Sequence, residues 1–582
     1  MSATDTAPHR SVPQGADGGF THRQIMTILS GLLLGMFLAA LDQTVVGTAI
    51  RTISDDLHGF DLQVWATTAF LITSTISTPL YGKLSDMYGR RPFYLLAITI
   101  FLAGSMLCGL SQSMYELAGF RALQGLGAGG LMSLALAIMG DIVPPRERTR
   151  YQGLFMGVWG MSSVLGPVIG GFFAGASTIF FVSGWRWIFY INVPLGLFAL
   201  FVVARVLHIP HTKRDHRVDW PGALALVLCL VPLLTVAEQG RTWGWSSGPA
   251  LACYLIGLAA LGAFLWAERR YGDEALLPLR LFRNRSFSIS SASSFIIGSG
   301  MFGAIVLLPL YLQVVKGSSP TVAGLQTLPL MFGIMAGAMG SGQIISKTGR
   351  YKKFPVIGSG LMVVALLLFH SVGADTPLWQ TMAVMALFGV GLGFNMQPVI
   401  LAVQNSVKPT EMGVATSSVT FFRQMGGTMG AAVFFSVLFT TAGGKIASAY
   451  EAARHTKPFQ AAAAANPDQL HSLSGAGSSL TDTSFLNHMN SVLSHPFKVG
   501  FSQSMDVNFL LAACIIALGF LVVLFLPDLP LRNMSGVQAA AQEARERLEA
   551  SQAAEQQAAP QSLPAQLGSL RSPEGQPAPE PA

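Results

Sequence analysis

Long apolar runs are the feature that most constrains how this chain can fold. About fourteen of them follow one another along the sequence, many longer than the ~18 residues that mark a candidate membrane-spanning helix. They do not fit barrel strands, because such strands have about 10 residues and alternate apolar with polar positions. The sequence therefore predicts an all-α polytopic membrane protein with about 14 transmembrane helices. The runs are residues 24–49, 64–82, 93–112, 115–139, 153–176, 186–207, 221–239, 249–267, 287–313, 321–345, 354–373, 379–403, 414–441 and 507–527.

The distribution of charge predicts the orientation of these helices. Charged residues make up 11% of the chain, whereas an ordinary soluble domain carries about 25%. The net charge of +7 would suggest nucleic-acid binding in a soluble protein, but here the basic residues lie between the apolar runs. With a cytoplasmic N-terminus, the short inward loops hold about nineteen lysines and arginines, and the short outward loops hold only Arg51, Arg241 and Lys316. Both termini are therefore expected in the cytoplasm.

Three regions lie outside the apolar runs. Residues 1–23 are expected to be a disordered cytoplasmic N-terminus, without the apolar segment that a cleavable signal peptide requires. Residues 442–506 are expected to form a long extracellular segment between the last two helices. Residues 528–582, rich in Pro, Gln and Ala towards the end, are expected to be a cytoplasmic and mostly disordered tail.

The chain also repeats itself. The stretch GKLSDMYGRR after the second run corresponds to GQIISKTGRY after the tenth. A six-helix bundle at 24–208, two inserted transmembrane helices at 209–286 and a second six-helix bundle at 287–527 follow from this repeat. Parallel six-helix repeats are a recurrent transporter architecture, with the substrate site between the halves. The matched positions are Gly82 and Gly342, Gly89 and Gly349, and Arg90 and Arg350, all separated by 260 residues.

Specific motifs resemble a known family. The loop GKLSDMYGRRP at 82–92 resembles the signature loop between helices 2 and 3 of the major facilitator superfamily, and fourteen helices make the chain similar to its drug:H+ antiporter branch. The chain departs from the branch in the helix-1 motif that begins at residue 41. There Gly47 replaces the usual Asn, and Ile50 and Arg51 replace the usual Leu-Pro. The other matching motifs are LDQTVV (41–46), RALQGLGAG (121–129), LGPVIGG (165–171), WRWIFYINVPLG (185–196) and FFRQMGGTMG (421–430).

The signature loop is expected to act as a cytoplasmic gate. Glycine permits a tight turn and close helix approach, and Asp86 can pair with an arginine or accept from a helix N-terminus. An ion pair that forms only when this side is shut would favour one of two states. The alternative is that the basic residues only fix the topology. In the second copy Ser346 replaces the aspartate, so the two loops are chemically unequal. The predicted gate residues are Gly82, Asp86, Gly89, Arg90 and Arg91.

Asp42 is a carboxylate well inside the first membrane helix, where an isolated charge costs at least about 2.5–3.5 kcal/mol. Three roles remain open for it. It can carry a proton, because a moving cavity changes both its desolvation and its nearby charges. It can attract a cationic substrate, or it can be a structural hydrogen-bond partner.

Arg121 lies inside the fourth helix, and the resemblance implies that it takes part in proton coupling with Asp42. Its positive charge would hold a nearby carboxylate ionised. The alternative is an arginine whose side chain extends to the outer headgroups.

The fifth helix carries a run of small residues and a proline. Small residues allow close helix approach and the proline kinks the helix, which suits one bundle rocking on the other. The resemblance implies that this motif limits proton leak. Its residues are Gly157, Gly166, Pro167, Gly170 and Gly171.

Polar residues in other spans are candidates for the substrate cavity: Gln124, Asn395, Gln397 and Arg423. The tenth helix contains no acidic residue, which favours neutral or monocationic substrates according to the resemblance. No catalytic or metal-binding residue is predicted. The GxGxxG match at 125–130 lies within a membrane helix and not in a βαβ unit, so neither a nucleotide nor another cofactor is expected.

The predicted function is that of a proton-coupled secondary active exporter of small lipophilic, neutral or cationic compounds, working by alternating access, and not of an enzyme. Its expected partners are a small-molecule substrate, protons and the lipid bilayer of the cell membrane, with no nucleic acid, and it is expected to be a monomer. One alternative is a transporter dedicated to one metabolite, antibiotic, lipid or siderophore. Another is a receptor or scaffold that does not transport.

Overall fold

The computed structural model describes residues 21–58, 63–208, 219–408, 411–466 and 489–531, together with a few helical residues between 538 and 552. Its architecture is nearly all helical, which confirms the predicted fold class. Most of the two predicted disordered ends lies outside the described residues. The elements are α1 (His22–Asp56), α2 (Gln63–Tyr88), α3 (Arg90–Leu110), α4 (Met114–Ile142), α5 (Pro145–Gly175), β1 (Thr178–Ile179), β2 (Val182–Ser183), α6 (Trp187–Tyr190), α7 (Asn192–Val206), α8 (Trp220–Trp243), α9 (Gly248–Tyr271), α10 (Arg285–Val314), α11 (Pro320–Gln326), α12 (Leu328–Thr348), α13 (Lys353–His370), α14 (Leu378–Ser406), α15 (Met412–Arg454), α16 (Lys457–Ala465) and α17 (Ser491–Leu524).

These helices have the length and the surface of membrane spans. Twelve helices within the described ranges are long and apolar enough to cross a bilayer, and α2 and α10 add two more of 26 and 30 residues. Large apolar side chains such as Leu255 and Trp266 of α9 lie exposed on the outside of the bundle. An exposed apolar surface of this kind suits contact with lipid. The chain is therefore a multi-pass membrane protein.

The helix ends are set by local side chains. Thr21 and Gln24 form a reciprocal capping box at the start of α1. Asp219 accepts from the backbone N–H of Gly222 at 2.7 Å and caps α8. Such caps satisfy backbone N–H groups that the first helical turn leaves without partners.

Both described ends of the chain lie on one face of the molecule. The His22 ring at the start of α1 lies 2.6 Å from the Tyr151 hydroxyl near the start of α5. Tyr351, before α13, donates to the carbonyl of Pro527 beyond α17. We call this face of the molecule the basic face, and we define it by His22, Arg90, Tyr151, Tyr351 and Pro527. Burial raises the pKa of Tyr351, which keeps its hydroxyl protonated as this donor.

The helices form two groups and an inserted pair. Helices α1–α7 pack mainly on one another, and so do α10–α17. We call these groups the N-terminal and C-terminal bundles. The inserted α8 packs against both α2 and α15, in an apolar cluster that includes Ile76, Leu230 and Phe421. The bundles contact each other mainly through α5 with α12 and α2 with α15.

The last two long helices extend well into the segment 442–506, which the sequence predicted to be a long extracellular segment. Helix α15 continues to Arg454, α17 already begins at Ser491, and the short α16 lies after α15. Ile446, Phe497 and Phe501 are buried, and the backbone of Ile446 lies against Gly500. Apolar residues at helical spacing within an Ala- and Ser-rich stretch were too sparse to be recognised as helix by hydropathy. Residues 467–488 lie outside the described ranges.

Candidate functional site

The carboxylate of Asp42 lies at the centre of a buried polar network. Its Oδ2 accepts from Nη1 of Arg121 at 2.5 Å, and its Oδ1 accepts from the side-chain amides of Gln124 and Asn192, both at 2.8 Å. Ser105 extends the network, because its Oγ accepts from Nδ2 of Asn192 at 3.0 Å. Four helices, α1, α3, α4 and α7, thus supply one network, and all four belong to the N-terminal bundle.

Arg121 is enclosed by this bundle and does not reach the surface. Its side chain is 1% exposed, and the guanidinium lies 4.1 Å above the ring of Phe70. It also donates to the backbone carbonyl of Ala66 and to Oε1 of Gln124. The side chain therefore pairs with Asp42 and does not extend to the headgroups.

Two members of the network were not predicted from the sequence to belong to it. Gln124 was assigned to the substrate cavity, yet it is fully buried and bridges Arg121 and Asp42. Asn192 was not singled out. A signal for Asn192 existed, because it is an amide inside the apolar stretch of the motif at 185–196. Its Oδ1 has no hydrogen-bond partner within the described part of the chain.

The signature loop connects the two bundles at the basic face. The Asp86 carboxylate accepts from the backbone N–H groups of Gly413 and Val414, at 3.2 and 2.8 Å, in the first turn of α15. A carboxylate at a helix N-terminus is stabilised by the free N–H groups and by the helix dipole. The carboxylate of Asp86 therefore binds across the interface, as a gate residue would.

Arg90 holds this carboxylate in place. It contacts Asp86 at 2.5 Å and Asp141 of α4 at 2.7 Å. Gly89 has a φ of 99°, a conformation that other residues rarely adopt, and it allows the chain to turn from α2 directly into α3. Gly82 packs so closely on Ser417 that any Cβ there would collide with its side chain.

Arg91, the remaining predicted gate residue, points elsewhere. It donates to the carbonyl of Ala204 at 2.6 Å and joins α3 to α7 within the N-terminal bundle.

A second link across the basic face involves Arg148, which the sequence suggested was only one of several topology charges. Its fully buried guanidinium donates to Oε1 of Gln404 on α14 at 2.8 Å, and also to the carbonyls of Gly140 and Val143 at the end of α4. Nε2 of Gln404 donates in turn to the hydroxyl of Thr416 on α15. Together with Asp86, this link closes the interface between the bundles at the basic face.

The second copy of the loop is built differently. Ser346, at the position of Asp86, donates to the carbonyl of Gln343 in its own helix, and Arg350 is exposed. Tyr351 holds this loop to the segment after α17, since its hydroxyl also accepts from the N–H of Leu529.

The motif of the fifth helix divides between two partners. Gly166 and Gly170 pack against Thr44 and Thr48 of α1, inside the N-terminal bundle, while Gly157 and Gly171 have open space beside them. Pro167 faces the other bundle, with its ring next to Gly324 of α11.

The three cavity candidates in the C-terminal bundle face different directions. Asn395 is buried against α13, where Gly358 and Met362 lie beside its amide. Gln397 is buried, and its Oε1 has no hydrogen-bond partner among the described residues. Arg423 is partly accessible and lies 11 residues from the start of the interface helix α15.

Comparison with known proteins agrees with this architecture. The model of the Major Facilitator Superfamily matches residues 32–431. An uncharacterised transporter of this type from Mycobacterium tuberculosis is 35% identical over 510 residues, 87% of this chain and 70% of the relative. Multidrug transporter protein MdtP of Bacillus subtilis is 34% identical, over 87% of this chain and 94% of the relative. A tetracycline resistance determinant of Streptomyces rimosus is 42% identical, over 53% of this chain and 92% of the relative.

Solved structures share the fold at low sequence identity. The human organic anion transporter MFSD10 matches with a TM-score of 0.56 and 14% identity, over 86% of this chain and 99% of that structure. The proton:xylose symporter XylE matches with a TM-score of 0.56 and 14% identity, over 90% of this chain and 100% of that structure. The family model, the relatives and the fold agree, and the chain belongs to the Major Facilitator Superfamily.

Proposed function

We propose that the protein exports small lipophilic compounds from the cell in exchange for protons. The observation that carries this proposal is the Asp42 network, a carboxylate buried in a membrane helix and paired with a buried arginine. Intramembrane ionisable residues of this kind mark ion and substrate pathways. Relatives named as multidrug and tetracycline resistance proteins support drug-like molecules as the substrates.

Protonation of Asp42 would act through Arg121. The described partners of the carboxylate are all hydrogen-bond donors, so a proton on Asp42 would displace one of them. A protonated Asp42 would leave the guanidinium as an unpaired buried cation, and breaking a buried pair costs about 3–5 kcal/mol. Moving a two-state equilibrium from 1:99 to 99:1 takes about 5.5 kcal/mol. Protonation of one residue would shift the bundle arrangement by up to about this much, to the extent that the other arrangement gives Arg121 a new partner.

The basic face would be the cytoplasmic side of the cell membrane. The positive-inside rule supports this orientation, because Arg90, Arg148 and the start of α1 all lie at that face. The closed contacts of Asp86 and Arg148 would then correspond to a state shut towards the cytoplasm. Opening them would admit substrate, and a proton from outside would release substrate outward. We further propose that the molecule works as a monomer, since both bundles belong to one chain.

The test uses purified protein in liposomes that are acidic inside. Lipophilic cations, lipophilic anions and neutral antibiotics are added outside, and the internal pH is followed. In the wild type we expect substrates to raise the internal pH, and in Asp42→Asn we expect this signal to fall more than tenfold. Asp55→Asn, an exposed acid on the same helix, is the matched control and is expected to behave as the wild type.

Two results would contradict the proposal. If Asp42→Asn moves protons as well as the wild type does, Asp42 is structural and the proton site lies elsewhere. If no compound moves protons in the wild type, proton-coupled export fails and a receptor or scaffold role is favoured.

A further inference from the structure

Among the described residues of the C-terminal bundle, Arg423 is a cation without a counterion. Arg423 lies 11 residues from the start of α15, and the described residues place neither a carboxylate nor a hydrogen-bond acceptor against its guanidinium. In the N-terminal bundle, by contrast, Arg121 has Asp42, Gln124 and Ala66 as partners. An arginine cannot lose its charge in a protein, so a guanidinium deep in a membrane protein requires an acceptor from somewhere.

Helix register shows where Arg423 faces. Gln404 of α14 contacts Thr416 of α15 and reaches Arg148 of the N-terminal bundle, so this level of both helices faces the other bundle. Residues seven apart lie on the same face of a helix, two turns away or about 10.5 Å along the axis. Moving two turns away from the basic face leads from Gln404 to Gln397 and from Thr416 to Arg423.

Gln397 and Arg423 therefore lie at one height, on faces directed to the space between the bundles. The neighbour of Arg423 supports this position, because Oε1 of Gln424 accepts from the hydroxyl of Thr78 on α2 at 3.2 Å. Helix α15 therefore contacts the N-terminal bundle at the level of the arginine.

The unmet hydrogen bonds of the two residues are complementary. Arg423 offers N–H donors that no described acceptor meets, and Oε1 of Gln397 is a buried acceptor with no described donor. Leaving the buried Oε1 of Gln397 without a donor costs free energy that a suitable ligand recovers, and the partly accessible guanidinium of Arg423 can reach the same ligand. Such a ligand presents an acceptor oxygen to Arg423 and an N–H or O–H donor to Gln397. A monovalent cation would be repelled by the guanidinium.

We propose that Gln397 and Arg423 form the polar part of the substrate site, and that this site binds apolar compounds carrying an anionic oxygen near an N–H or O–H group. The inference rests on the proposed export function and names its substrate class. It differs from the neutral or monocationic substrates that the sequence suggested.

This polar pair is separate from the proton site. Asp42 lies 20 residues from the start of α1, about 30 Å from the basic face, whereas Arg423 lies 11 residues, or about 16 Å, from the start of α15. No hydrogen bond or ion pair in the described part of the chain joins the Asp42 network to Gln397 or Arg423. Substrate and proton would therefore be coupled through the arrangement of the bundles and not by competing for one carboxylate.

Two dyes with the same ethylamino-xanthene core test the charge preference. Rhodamine 6G is a cation, sulforhodamine G carries sulfonates and is an anion, and both carry N–H donors. Binding to the purified full-length protein is measured by fluorescence anisotropy, and transport is measured in liposomes with a pH gradient. We expect the wild type to bind sulforhodamine G at least tenfold more tightly than rhodamine 6G.

The variants separate the two residues. Arg423→Gln is expected to weaken the binding of sulforhodamine G at least tenfold and to leave the binding of rhodamine 6G unchanged or tighter. Arg423→Lys is expected to retain most of the anion binding. Gln397→Met is expected to weaken both dyes alike, because both offer N–H groups. Arg205→Gln, which changes an exposed arginine of α7, is the control and is expected to match the wild type.

The possible failures are distinguishable. Wild-type preference for rhodamine 6G, or unchanged sulforhodamine G binding in Arg423→Gln, overturns the substrate inference even if protons are exchanged. If Arg423→Gln and Arg423→Lys both weaken the binding of the two dyes to the same extent, the substrate inference is also overturned, because the positive charge would then not be what is recognised. Charge-selective binding without any proton movement leaves the site in place and instead contradicts the proposed antiport.

Discussion

At the scale of single residues, the Asp42 network combines a pairing that the sequence suggested with partners that it did not. An acid and an arginine in neighbouring membrane helices are expected to meet, because each is costly alone. Asn192 is different, since a neutral amide in an apolar run has no obvious partner in the sequence. Its role depends on α7 bringing it beside α1, where it donates to Oδ1 of Asp42 and to Ser105.

We expect Asn192→Leu, a change of similar volume, to destabilise the protein through Asp42. It removes one of the donors to a buried carboxylate, and a hydrogen bond to a charged group contributes about 1.5–3 kcal/mol to the free energy of unfolding. Thermal unfolding of the purified protein measures this loss. The same substitution in an Asp42→Asn background is expected to cost much less, and equal costs in both backgrounds would mean that Asn192 acts independently of Asp42.

At the scale of elements, the fifth helix illustrates how a motif divides by direction. Gly166 and Gly170 lie on the face that packs on α1, and Gly171 lies on a face with open space. The motif itself gives no indication of this division, since its residues are small on every side.

The division predicts opposite outcomes for the same substitution. Gly166→Leu would overlap the side chain of Thr44 and force α5 away from α1. Overpacking of this kind is expected to lower the free energy of unfolding by about 1–3 kcal/mol or more. Gly171→Leu adds an apolar side chain beside open space, and we expect a change within about 0.5 kcal/mol. Thermal stability in detergent distinguishes them. Equal tolerance at both positions would contradict the close packing of α5 on α1.

The elements also show which features a sequence can predict. Long apolar runs identify most membrane helices, because in lipid the backbone must satisfy its own hydrogen bonds. The outer ends of α15 and α17 were missed, since Ile446 and Phe497 are buried by each other's helices and not by lipid. Arg148 was missed for a related reason. Its role depends on Gln404, which is far away in the sequence and belongs to the other bundle.

At the scale of the whole molecule, the bundles meet along α5 and α12 as well as at the gate. Gly153 lies beside Met339 near the basic face, Gly160 lies beside Met331 near the middle of α5, and Pro167 lies beside Gly324 further on. A contact that follows the whole helix suits a pivot, in which rocking displaces the ends more than the middle.

Paired cysteines at two of these contacts test the pivot. A Cβ built on Gly153 lies 3.9 Å from Cβ of Met339, and one built on Gly160 lies 3.9 Å from Cβ of Met331. Both separations fall within the range of disulfides, about 3.5–4.5 Å. The background variant lacks the four native cysteines, Cys108, Cys229, Cys253 and Cys514. We expect the oxidised pair at 153 and 339 to reduce transport more than tenfold, reversibly with reductant, because opening the basic face must separate these positions.

The pair at 160 and 331 is the matched control for this experiment. It joins the same two helices with the same Cβ separation, but near the centre of α5, where rocking moves the chains least. With this disulfide formed, transport is expected to remain above about half of the rate measured after reduction of the disulfide, because the bond lies close to the axis of the hinge motion. Mass spectrometry establishes that each disulfide has formed before transport is measured. Full transport with the bond at 153 and 339 intact would mean that the basic face opens without separating α5 from α12, and equal inhibition by both bonds would place the moving axis elsewhere.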